Sequence, residues 1–183
     1  MKSIYQNFDK RYPIHMACGR CDNIRTSMQY ISFQYGYAYA TDSHILVRAR
    51  LTDISTFDEQ DLALLEGKFI HWSNYRKIIK SKGEVTITED SIIVKEEQYS
   101  VSYPLLTSAK IRYPDCEKAM KGSGDVTPKQ EFGINPDNLA VLGDVMNAYD
   151  GVFMKWEANH MFVVTPIGGH KDIKGVIMTK MCL

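Results

Sequence analysis

The chain has little of what would place it in a specialised class. Its 183 residues include only four cysteines, Cys18, Cys21, Cys116 and Cys182. That is too few at this length for a disulfide scaffold, so free thiols are expected. It also lacks net charge, since 22 Lys and Arg offset 22 Asp and Glu. No overall basic field draws it to nucleic acid, and any such binding must come from a local patch. No window approaches the ~18 consecutive apolar residues of a membrane span. The opening MKSIYQNFDKRYP lacks the apolar stretch of a secretory signal. A soluble, cytoplasmic protein with no membrane partner is therefore the expectation. Twelve glycines and six prolines exclude collagen-like and low-complexity chains. What is present is ordinary globular matter, 44% hydrophobic, enough to bury one large domain or one domain and a fraction.

Residues 28–50 (MQYISFQYGYAYATDSHILVRAR) carry aromatic and β-branched residues at period two, broken at Gly36. This predicts a meander of strands with tight turns. In the last run Ile45, Val47 and Ala49 alternate with Leu46, Arg48 and Arg50. Residues 51–66 are acidic and polar, and read as a connection with at most one helical turn. A short strand is predicted at 68–71. Ser73 then opens a short helix whose apolar face holds Tyr75, Ile78 and Ile79, with Lys82 in phase and Gly83 ending it. Arg76, Lys77 and Lys80 fall outside that face. Three short strands follow, in EVTITED, SIIVKEEQ and YSVSYPL. Residues 110–131 hold Gly122, Ser123, Gly124 and Pro128, and make the best linker region.

The same plan then recurs. A strand end at 132–135 leads to a helix capped by Asn135 or Asp137, with Pro136 in its first turn. Leu139, Leu142, Val145 and Met146 form its stripe, and three strands follow. Residues 67–105 and 131–183 thus share one architecture. A third copy near the N-terminus would have its helix around Pro13–Arg20.

Four stretches, in order, resemble the bacterial DNA polymerase III beta subunit, the sliding clamp. Residues 22–51 resemble the opening of its middle domain, with Ala40-Thr41-Asp42-Ser43-His44-Ile45-Leu46 where the family has Ala-Thr-Asp-Gly-His-Arg-Leu. Tyr113-Pro114-Asp115-Cys116 stands where it has Phe/Tyr-Pro-Asp-Tyr. Residues 132–146 resemble the Asn-Pro-x-x-Leu opening of its last half-domain, and VIMTKMCL its closing strand and tail. The resemblance implies an α+β DNA-clamp (processivity) fold of antiparallel sheets with short helices packed on one face. It implies a clamp-like domain over 1–121, a linker over 122–130 and an additional half-unit over 131–183. A whole clamp chain carries six half-units and this one about three, so it looks truncated or divergent.

Function follows from the resemblance in the same way. It implies a non-enzymatic processivity factor or scaffold, without cofactor or metal, and a homo-oligomer. Its partners would be DNA polymerase or other replication and repair proteins, held through linear motifs, together with double-stranded DNA. Matching positions place peptide contacts at Thr41, Ser43, His44, Ile45 and Leu46, at Pro114, Lys118 and Ala119, at Asn135 and Asn138, and at Ile177, Met178, Thr179 and Met181. Met and Leu there would supply adaptable apolar area, although Leu46 and Ile177 read equally well as strand core. Ile45 replaces the family's arginine and should change partner choice. Phosphate contacts fall to Arg76, Lys77, Lys80 and Lys82, which read otherwise as solvated cations near a helix C-terminus. The second helix carries no Lys or Arg outside its stripe. This favours the alternative of a non-encircling interaction or inhibitor module without DNA binding.

Other patterns point away from catalysis. Asp42 and Ser43 around His44 suit a turn that satisfies backbone N–H groups rather than an acid–base pair. His15, Cys18 and Cys21 have metal-like spacing, but zinc needs a fourth ligand, Cys116 or His160, and no second Cys-x-x-Cys exists. Gly168-Gly169-His170-Lys171 lacks the following helix of a phosphate loop. Tyr30, Phe33, Tyr35, Tyr37 and Tyr39 could stack on bases, but Gly36 predicts a turn that resets their faces, which favours sheet packing.

Overall fold

The computed structural model describes residues 6–19, 25–121, 133–157, 161–169 and 171–179. The 122–130 linker and Cys21, His160, His170 and Met181 lie outside them. The elements run β1 (Tyr30–Gln34), β2 (Tyr37–Thr41), β3 (Ile45–Arg50), α1 (Leu51–Ile54), α2 (Glu59–Leu65), β4 (Lys68–His71), α3 (Trp72–Ile78), β5 (Glu84–Ile87), β6 (Ser91–Lys95), β7 (Ser100–Pro104), β8 (Leu106–Thr107), α4 (Cys116–Lys121), α5 (Pro136–Met146), β9 (Val152–Glu157), β10 (Met161–Pro166) and β11 (Ile173–Met178).

Eight strands form one antiparallel sheet in the order β8-β4-β1-β2-β3-β11-β10-β9, and β5-β6-β7 form a second sheet. The large sheet joins the early meander to the last three strands through β3 and β11, where Ile45 faces Ile177 and Leu46 faces Val176. Alternation along the strands creates two faces. Ile45, Val47, Ala38, Ala40, Val164 and Ile177 point to the main core, which also holds Tyr75 and Ile78 of α3 and Leu142, Val145 and Met146 of α5. Leu46, Tyr39, Met161 and Val176 point the other way and meet Cys116 of α4. The first face is covered by α3, α5 and a 3-10 turn at Ile14–Ala17.

Local chemistry explains the elements. Tyr35 and Gly36, at φ 55° and 75°, make the two-residue turn that joins β1 to β2. Asn135 caps α5 by accepting the Asp137 N–H at 3.0 Å, with Pro136 in the first turn. Gly175 lets α5 lie against β11, because a Cβ there would sit 2.4 Å from Met146 Cε and 2.8 Å from Leu142 Cδ2.

The structure departs from the sequence reading in six respects. Helix α3 is capped by His71, whose Nδ1 accepts the Ser73 N–H, rather than by Ser73. It ends at Ile78, because Lys80 N–H and Ser81 N–H close tighter turns onto Lys77 O and Ile78 O, so Lys82 lies beyond the helix and exposed. The 51–66 connection holds two helices, the second capped by Asp58 through the Asp61 N–H. Residues 116–121, inside the predicted linker region, form α4. Among the described residues, the N-terminal helix is the 3-10 turn Ile14–Ala17. Met28, read as part of the first strand, lies instead in the 3-10 turn Thr26–Gln29.

Candidate functional site

The turn between β2 and β3 is built by its own side chains. Asp42 Oδ1 accepts the His44 and Ile45 N–H groups at 2.8 and 2.9 Å. Thr41 Oγ1 accepts the Ser43 N–H and donates to Ile45 O at 2.7 Å. Ser43 takes φ 80°, a left-handed conformation that favours glycine. The end of β11 is tied to this turn, because Met178 N–H donates to His44 O at 2.9 Å.

Beside the turn lies a cleft of about 180 Å³. Thr41, Ser43, His44, Ile45 and Leu46 form one side, Val176 and Met178 another, and Pro114, Cys116 and Ala119 close it from α4 and the segment before it. Met28 and Met161 complete the lining. Eight of the residues singled out from the sequence thus share one recess. Lys118 is exposed on α4 and lines a different cleft with Tyr35, Tyr37, Arg48 and Lys121. Ile177 is wholly buried in the main core, because it is one residue out of phase with Val176 and Met178. Asn135 and Asn138 sit at the start of α5, away from the lining. Thr179 is the last described residue and is not in the lining. Met28, Cys116, Met161 and Val176 were not foreseen. Met161 and Val176 fall on the cleft face of their strands, but that phase appears only once β10, β11 and β3 are in register.

An ionic network holds α4 against the sheet and so fixes one wall of the cleft. Tyr39 OH donates to Glu117 Oε1 at 2.7 Å, and the Arg48 guanidinium donates to the same oxygen at 3.2 Å. Arg48 also reaches Asp172 at 3.4 Å and lies 4.5 Å over the Tyr37 ring. Arg50 and Tyr37 OH donate to the other Asp172 oxygen at 2.9 and 2.8 Å. The hydrogen bond from Tyr39 holds the Glu117 carboxyl below its ordinary range, aided by Arg48 and opposed by partial burial. Burial pushes Asp172 up, but the hydrogen bonds from Tyr37 and Arg50 and the two guanidinium charges outweigh it, so its carboxyl also lies low. Burial pushes the Cys116 thiol up to about 12, so the cleft presents a neutral, unreactive sulfur.

The other face carries the cations. Arg76 and Lys80 share an open cleft of about 430 Å³ with Lys10, Pro13, His15, Met16 and Ile79. Lys77 is exposed outside it, and Lys82 lines a separate recess with Glu84, Lys95, Glu96 and Glu97. The exposed positions of α5 include Asp137, Ala140 and Asp144, with no Lys or Arg on that helix. Among the described residues no group of three His, Cys, Asp or Glu side chains could hold a metal ion. Of the aromatic run, Phe33 and Tyr39 are buried, while Tyr35 stands exposed at the turn. Among the described residues no helix is long and apolar enough to cross a membrane.

Helix-on-sheet units repeated along the chain and joined edge to edge through β3 and β11 define the DNA-clamp fold. Within it, the chain has the fold of the bacterial DNA polymerase III beta subunit, the sliding clamp. The match to the Bacillus subtilis clamp has a TM-score of 0.60 at 11% identity, and covers 98% of this chain and 64% of that one. The Streptococcus pyogenes beta subunit gives 0.57 at 12%, covering 96% and 65%. The Borrelia burgdorferi beta subunit, solved with a natural product, gives 0.55 at 9%, covering 97% and 64%. The chain therefore spans just under two thirds of the length of these clamps. No protein-family model matches it, and no curated protein matches it in sequence.

Proposed function

We propose that this chain is a clamp-type scaffold, not an enzyme, that holds linear peptide segments of DNA polymerase or other replication and repair proteins in the cleft beside His44. The observation that carries this reading is the Met178 N–H to His44 O hydrogen bond. It seats the last strand beside the Thr-Asp-Ser-His turn, and Leu46, Met161, Val176 and Met178 then offer an apolar, methionine-rich wall of the kind that accommodates varied partners. In this reading residues 1–121 act as one clamp-like domain and 131–183 as an added half-unit. The protein works in the cytoplasm as a homo-oligomer, with Arg76, Lys77, Lys80 and Lys82 meeting duplex phosphates electrostatically.

A fluorescence titration with a clamp-binding polymerase peptide tests the reading. Micromolar binding is expected, weakened at least tenfold (about 1.4 kcal/mol) by Met178→Glu at the half-exposed cleft rim. Leu46→Asp should abolish it. No binding at high micromolar peptide overturns the reading.

The surface of α5 favours a second reading, a non-encircling interaction or inhibitor module. A channel lined by both helices would be basic on α3 only. Light scattering separates the two. About three half-units cannot close around a duplex, so a persistent monomer excludes the encircling form.

A further inference from the structure

Lys10 of the N-terminal segment, Arg76 of α3 and Lys80 just beyond that helix line one recess of about 430 Å³. All three are exposed, and among the described residues none is ion-paired. Asp9, the acid beside Lys10 in sequence, is taken by Arg11, whose Nη2 lies 2.6 Å from its Oδ2. Among the described residues no carboxylate lines the recess. The rest of its lining is apolar, from Pro13, Met16 and Ile79, together with buried His15. The two walls are fixed to one another. Asn7 Nδ2 donates to Ile78 O at 3.3 Å, and the Phe8 and His15 rings lie 4.9 and 6.0 Å from the Tyr75 ring. The Lys77 and Ile78 carbonyls at the helix end, which would repel an anion, are engaged by the Lys80 and Ser81 N–H groups.

The geometry points to a site for a small phosphate ester of the nucleoside di- or triphosphate class. The volume falls within the range of about 300–1,000 Å³ of small-molecule sites. Arg76 offers a planar fork to one phosphate, and the two ammonium groups add point charges. Pro13, Met16 and Ile79 supply the apolar surface on which a base rests. A duplex meets exposed cations along its backbone, whatever the shape of the surface between them. Lys77, exposed on the same helix, would then count as much as Arg76, yet it lies outside the recess. The inference is independent of the peptide reading, and it shares only Arg76 and Lys80 with the duplex contacts. Because the cations are solvated, each adds a few-fold in affinity.

Isothermal titration calorimetry on the full chain, at low salt and without divalent cations, tests this with adenosine triphosphate, adenosine and a short DNA duplex. Adenosine triphosphate should bind with a Kd on the order of 100 μM, be displaced by excess inorganic tripolyphosphate, and bind far more tightly than adenosine. Lys10→Gln and Arg76→Gln should each weaken it about fivefold, and Lys77→Gln by less than about twofold. All three side chains are exposed, so these variants should fold as the parent does. Nucleotide binding that falls as much in Lys77→Gln as in Lys10→Gln, in the pattern the duplex follows, would mark a diffuse surface field and overturn the inference. No binding at ~1 mM adenosine triphosphate, or binding that tripolyphosphate does not displace, would overturn it as well. Either result leaves the peptide reading standing, and a polymerase peptide that fails to bind leaves this one standing.

Discussion

Replacing Gly175 with alanine puts a methyl group where α5 meets the sheet. That Cβ would lie 2.4 Å from Met146 Cε and 2.8 Å from Leu142 Cδ2, and both side chains are essentially fully buried. Leu46 O, 3.5 Å away, is in ordinary contact, so the strain falls on Met146 and Leu142, which must shift within the core. Overpacking of this kind costs about 1–3 kcal/mol. For a chain of this size each ~1 kcal/mol lowers Tm by about 2–4 °C. Met146→Ala alone removes a buried side chain and should cost about 2–5 kcal/mol. In the double variant the new methyl occupies part of the space that Met146 vacates. Urea unfolding of the four proteins should therefore give a double-variant loss at least ~1 kcal/mol smaller than the sum of the single losses. Additivity within about 0.5 kcal/mol would refute the claim that Gly175 is required by helix packing. Because Val176, and not Gly175, faces the cleft, peptide affinity should be unchanged in folded Gly175→Ala.

Three further outcomes follow from the site. Ser43→Gly should stabilise the protein by roughly 1 kcal/mol, read as a higher urea midpoint, because φ 80° is strained for serine and free for glycine. Glu117 has its folded-state pKa below the ordinary 4.5, so its contribution is fully present above that value and is lost as pH falls below it. Glu117→Gln should accordingly flatten the acid limb of the stability profile, and an unchanged limb would show that the Tyr39–Arg48 contacts contribute nothing. Cys116, buried with its thiol near 12, should react with a thiol reagent at pH 8 far more slowly than after unfolding, and bound peptide should slow it again. Rapid labelling of the native protein at Cys116 would contradict the closed cleft.

The large elements were legible because their signals are local. The stripe Tyr75, Ile78, Ile79, the Asn135-Pro136 helix start and the period-two runs each reflect sterics and hydrogen bonds within a few residues. The helices at 51–66 were obscured by acidic composition, although Asp58 followed by Asp61 is a capping pattern. Helix α4 was masked by the Gly and Pro residues that follow it. Strand β1 shows why alternation can fail, since Ile31, Ser32 and Phe33 are all buried once both faces of the sheet are covered.

Sequence by itself determined the repeated strand–helix–strand plan, the Asp42-centred turn and the residues on the early side of the cleft. Those features depend on neighbours in the chain, and the order of the motifs carried the resemblance. Only the tertiary structure decided that Val176 and Met178 line the cleft while Ile177 is core, and that Met28 and Met161 complete it. These facts depend on the β3–β11 register and on where α4 lands. The first joins residues more than a hundred apart across a sheet, and the second joins Glu117 to Tyr39 and Arg48, 78 and 69 residues away, so no local pattern encodes either.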